Sequence, residues 1–310
     1  MKPFTLFFGA SDEITTYEVT HNPSYELVMH TVNHLRDRLL KEQVLRVPFL
    51  HIFTNCYNDD SEFPRDLAPC TPVADRVSNL VKIRRIREHP PTDADVVEFL
   101  TNAFPDLYLA HGDFGPEGVS WVETMSGREE ADSQKITING KLVLLWLQIV
   151  NTPITVGPAR LSLMFIAIFL HELAHSALVW YGRGVCDSPQ IGGIEREGGN
   201  YVEQAFFGGI TLAEFELEPM QLVEIGIQQG ASFYIIENDL AKQLVRFDTS
   251  NGLPLLDITT LSPSPPATFG RVRAKFNKAM SNIGVLPAPK KMSATRAQPL
   301  LKNDKKRRMV

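Results

Sequence analysis

An α+β fold is predicted by three features of the chain. Residues 159–181 contain no proline or glycine and are mostly apolar, which at 3.6 residues per turn gives one helix of about six turns crossing the core. The segments 135–139, 210–217, 220–228 and 231–236 are short and have the pattern of strands. Residues 24–47 carry Leu27, Val28, Thr31, His34, Leu35, Arg38, Leu39 and Val44 at spacings of three and four, a second helical stretch.

Taken in order, 4–8 and 15–19 are candidate short strands. Ser24 is the expected N-cap of the first helix, and Pro48 its expected end. Residues 49–53 are expected to form a strand or a buried turn. Residues 57–73, with Pro64, Pro69 and Pro72, read as loop. Helices are predicted over 72–87 and, after Pro90 and Pro91, over 93–104. Thr92 is the N-cap of the latter, and Asp95 three residues on completes a capping box. The cluster Lys82, Arg84, Arg85 and Arg87 reads as a solvated helix face. Residues 118–125 form a predicted strand, 126–134 a turn and 141–150 a buried helix. Beyond the long helix come a loop over 183–195, a short helix over 197–207 stopped by Gly208, and a helix near 237–247. A loop over 262–266 and a last helix over 268–283 follow. The expected division is an N-terminal mixed helical lobe over 1–134, a catalytic region over 135–286, and a disordered basic tail over 287–310.

The composition is that of a globular protein, with 44% hydrophobic and 22% charged residues in 310. The net charge of −5 is unevenly spread. From Pro287 onward eight Lys/Arg face one acid, which leaves 23 basic and 35 acidic residues, a net −12, in the rest. An acidic body argues against nucleic acid as a partner. Three cysteines without a C-x-x-C pair give no disulfide framework and no cysteine metal site, so an intracellular, cytoplasmic location is expected. The run Lys305-Lys306-Arg307-Arg308 adds a nuclear alternative. The apolar stretch at 4–8 is too short for a signal-peptide core. The one membrane-length segment, 159–181, carries Arg160, His171, Glu172 and His175, and no membrane contact is expected for it.

Those polar residues hold the chemistry. His171-Glu172-Leu173-Ala174-His175 is an H-E-x-x-H sequence inside the long helix. Positions i and i+4 share a helix face, so the two imidazoles can converge on one Zn2+, with Glu172 beside them as general base for a water held there. A catalytic zinc takes three protein ligands. No histidine follows His175, so the third is sought among downstream acids: Glu197 first, with Glu203 the alternative and Glu195 behind both. Glu197 precedes Gly198 and Gly199, which let the backbone approach the long helix closely. Asn200 is then placed to hydrogen-bond a ligand histidine. For the developing oxyanion, Tyr201 and Tyr234 are the candidate donors, with Arg246 or Arg271 behind them.

His171 to His175 with Glu197 and Glu203 resembles the glutamate zincins (gluzincins). More closely, His171 to His175, Glu197-Gly198-Gly199, Glu203 and Phe207-Gly208-Gly209 resemble a group of uncharacterised fungal proteins with a zincin-like domain. The resemblance spans about residues 136–210. It implies a zincin-like arrangement in which the H-E-x-x-H helix packs on a small sheet and on a second, glutamate-bearing helix, and it implies a metallopeptidase-type site. The expectation is a soluble zinc metallopeptidase-like hydrolase in which Glu172 activates a zinc-bound water against a peptide or amide carbonyl. The alternative is a catalytically weak or inactive zincin-fold protein that binds zinc or a partner. In zinc peptidases an edge strand commonly pairs with an extended substrate. The segments 119–125 and 135–139 are the candidates for it here.

Overall fold

Two four-stranded sheets with helices packed against them make a mixed α+β fold. The computed structural model describes residues 1–9, 16–58, 81, 84, 86–110, 135–149, 157–183, 198–217 and 220–274. The elements in chain order are β1 (Leu6–Gly9), β2 (Thr16–Glu18), α1 (Glu26–Lys41), α2 (Gln43–Asn58), α3 (Asp93–Asn102), β3 (Asp106–Ala110) and β4 (Lys135–Asn139). They continue with α4 (Gly140–Ile149), α5 (Pro158–Tyr181), α6 (Gly198–Phe207), β5 (Ile210–Leu217), β6 (Met220–Gln229), β7 (Ser232–Ile235), α7 (Asn238–Leu244) and β8 (Arg271–Ala274). The predicted helix over 72–87, the strand over 118–125, the turn over 126–134 and the tail lie wholly or largely outside the described residues.

The first sheet has the order β2-β1-β3-β4, with β1, β3 and β4 parallel and β2 antiparallel to β1. Parallel neighbours need a long crossover, and α1, α2 and α3 supply it between β1 and β3. Leu107, Leu109, Ile136 and Ile138 alternate into the core. On the opposite face Phe7 stacks on Tyr108 at 4.5 Å, and the Lys135 ammonium lies 4.6 Å from the Tyr108 ring centre. Among the described strands β4, one of the two edge candidates, is outermost and parallel to β3.

Ser24 does not cap α1. A 3₁₀ turn over Pro23–Tyr25 precedes the helix, and the Asn22 side chain accepts from the Ser24 N–H. The first helix also ends before Pro48. The backbone turns extended at Glu42 (φ −107°, ψ 104°), and Pro48 lies inside α2, which replaces the strand or turn expected over 49–53. The apolar face of α2 decides this, because Leu45, Phe49, Ile52 and Phe53 are fully buried. Proline removes one helical hydrogen bond, and that loss is smaller than the burial gained. Arg46 secures the corner. Its guanidinium donates to the Leu39 and Leu40 carbonyls that end α1, and it pairs at 2.7 Å with both Asp93 oxygens at the start of α3. The capping box of α3 is present, with the Thr92 N–H donating to Asp95 at 2.6 Å.

Cys56, on the last turn of α2, is disulfide-bonded. That corrects the expectation of no disulfide framework.

The second sheet is antiparallel in the order β7-β6-β5-β8. The last segment was expected to be helical over 268–283; residues 271–274 are instead strand β8, paired with β5 from Ala213 to Glu216. Buried Glu214 is the cause. It accepts from Arg273 at 2.6 Å and from Arg271 at 3.3 Å, so a carboxylate in the sheet holds both arginines in strand register. Arg271 is therefore engaged in the second sheet.

One buried apolar cluster runs from Phe4, just ahead of β1, to Ile258 and takes in most of α5, so residues on both sides of position 134 share a core. Phe53 of α2 stacks on Tyr181 of α5 at 4.5 Å, and Trp180 lies against Phe53 and Phe99. Among the described residues α5 is the one helix long and apolar enough to cross a membrane, and 83% of its most apolar window is buried inside the protein.

Candidate metal centre

Both ends of α5 are fixed, and this sets the direction of every side chain on it. At the start, Pro158 occupies the first turn, where its missing N–H costs nothing. The Asn238 side chain accepts from the Ala159 N–H at 3.2 Å, and a Cβ on Gly157 would fall 2.2 Å from the same Asn238 oxygen. Arg160 pairs with Glu224 of β6. At the far end, Gly182 donates to the Leu178 carbonyl at 2.7 Å.

His171 and His175 lie one turn apart in the middle of this helix. Their rings meet at 5.0 Å and 62°, and their Nε2 atoms are 3.3 Å apart. Two nitrogens that each bond a shared tetrahedral zinc at about 2.0–2.1 Å lie about 3.3 Å from one another. A nitrogen pair this close is satisfied by a shared proton or a shared cation. Glu172 completes the group: one ligand atom from each of the three residues lies within 4.8 Å of the others. Glu172 is 2% exposed and His171 9%, so both are held almost out of water. The donor types and the spacing fit zinc.

The second wall is α6. A Cβ on Gly199 would fall 2.4–2.5 Å from Cγ, Cδ2 and Nδ1 of His171, so the backbone rests directly on the imidazole, as the glycine pair predicted. Val202, Phe206 and Phe207 bury the same side of α6, and Gly208, at φ 77°, ends the helix as expected.

The other sequence candidates divide as follows. Glu197 and Glu195 lie outside the described residues. Glu203 meets the Nδ1 edge of His171, with Oε1 at 2.8 Å, while its Oε2 accepts the Thr211 N–H at 3.0 Å. It is not among the three residues that converge. Among the described residues Asn200 hydrogen-bonds neither His171 nor His175 and its buried Oδ1 has no partner, while Glu203 occupies the position expected for it. Tyr201 lies two residues past Gly199, about 200° round the helix. Its hydroxyl is 2.6 Å from Nδ1 of His51 on α2, and burial raises its pKa, which keeps the phenol neutral. Tyr234 lies on β7 opposite Ile227. The sequence gives no sign of the His51 and Thr211 contacts: His51 is 150 residues from its partner, and Thr211 acts through its backbone.

No family model, curated protein or solved structure matches the chain.

Proposed function

We propose that the chain is a zinc-dependent metallopeptidase-like hydrolase with a zincin-like fold. The convergence of the His171 and His175 Nε2 atoms beside the Glu172 carboxylate carries this reading. His171 and His175 hold the metal, and Glu197 is the proposed third donor. Zinc bound there supplies Lewis acidity, which makes a water nucleophilic at neutral pH and polarises a carbonyl. Glu172 takes the proton from the attacking water and returns it to the leaving amine as the amide C–N bond breaks. Its burial keeps competing solvent away from the carboxylate. The substrate is a peptide or related amide.

One observation favours a second reading, a zincin-fold zinc-binding protein with weak or no hydrolysis: the Tyr201 hydroxyl is held by His51 on the α2 side of α6. Metal analysis and a peptide-library digest separate the two. About one zinc per chain is expected, with cleavage that a chelator stops and added zinc restores. Zinc without chelator-sensitive cleavage would favour the second reading, and a chain that takes up no zinc would exclude both.

A further inference from the structure

We propose that Glu203 is a positioning residue of the metal centre: it fixes which ring nitrogen of His171 carries the proton and ties that histidine to the second sheet. This rests on the metal reading above. Glu203 is 1% exposed, and a carboxylate so buried must use its oxygens. Oε1 faces Nδ1 of His171 at 2.8 Å and Oε2 accepts from Thr211 at 3.0 Å. A carboxylate only accepts, so the His171 proton sits on Nδ1 and the Nε2 lone pair is left facing His175.

Two further features act with this contact. Gly199 and Glu203 are i and i+4 on α6, so they share the stripe that faces α5. The glycine backbone lies against the imidazole ring while the glutamate holds its Nδ1 edge. Together they restrain both displacement and rotation of the ring. Thr211 supplies the anchor on the other side. It pairs with Ile227 of β6, but β8 covers β5 only from Ala213 to Glu216. The Thr211 N–H lies beyond that described pairing, and Glu203 accepts it. The carboxylate thus caps the open end of a strand and orients a metal ligand at once. Because Nδ1 and Nε2 are on opposite edges of the imidazole, a carboxylate seated on Nδ1 is directed away from the point where the two Nε2 atoms meet.

Zinc affinity, measured by chelator competition on the full chain, tests this in the wild type and Glu203→Gln. The variant is expected to bind one zinc per chain about 10–100-fold more weakly, the effect of losing a partner behind a metal-bound histidine. Its cobalt-substituted absorption bands should stay in place, because the donor atoms are unchanged. Shifted bands with lost stoichiometry would make Glu203 a direct ligand and overturn the proposal, as would unchanged affinity. Nitrogen-15 spectra of the labelled wild type need no variant to fold. They should show the His171 proton on Nδ1; the opposite tautomer would refute the assignment even with zinc binding intact. A wild-type chain that takes no zinc would instead sink the metal reading itself. None of these measurements depends on hydrolysis.

Discussion

Glu172→Gln is expected to keep its zinc and lose hydrolysis, with turnover about 10²–10⁴-fold below wild type, the usual contribution of a general base. Glutamine has the size and shape of glutamate, so the buried position stays filled. Its neutral amide has no basic oxygen to take a proton at neutral pH. Zinc content measured beside turnover makes the result decisive. Zinc lost together with activity would make Glu172 part of the binding set, and unchanged turnover would end its assignment as base.

Gly199→Ala is expected to disable the proposed centre without replacing any of its ligands. The new Cβ would sit 2.4 Å from Cγ of His171, a separation that no rotamer of alanine relieves. Either α6 moves away from α5 or the imidazole turns away from His175. Overpacking of this kind costs about 1–3 kcal/mol. Zinc affinity should fall at least about tenfold with it, because a displaced His171 no longer meets His175. Gly198→Ala is the control. Among the described residues its Cβ meets only Ile52, at 3.6 Å, and alanine favours a helix over glycine by up to about 1 kcal/mol. The neighbouring substitutions should therefore differ in both zinc affinity and melting temperature. Equal behaviour of the two would show that the close approach of α6 is not what holds His171.

Much of this was legible in the sequence where one segment carried its own signal. The uninterrupted apolar run located α5 within one residue, the capping box located the start of α3, and Gly208 the end of α6. The two histidines at i and i+4 placed their nitrogens together because helix geometry leaves little choice. What was not legible depended on partners far along the chain. Pro48 looked like a terminator, yet the buried face of α2 and the grip of Arg46 on α1 and α3 moved the break to Glu42. Residues 271–274 looked helical until Glu214 drew two of their arginines into a sheet. The glutamates near α6 could be ranked as ligands, but the contact of Glu203 with the far edge of an imidazole required β5 to be in place.

The fixed ends of α5 have one more consequence. Asn238 and Glu224 hold its first turn, and Phe53 holds its last, so the helix is free neither to slide nor to turn about its axis. The orientation of His171 and His175 is then decided by folding of the core. On the proposed function, zinc would enter a preorganised pair, and little conformational entropy would remain to be lost on binding. In small zinc domains the metal organises the fold; in the proposed centre the dependence would run the other way, the fold organising the site before any metal arrives.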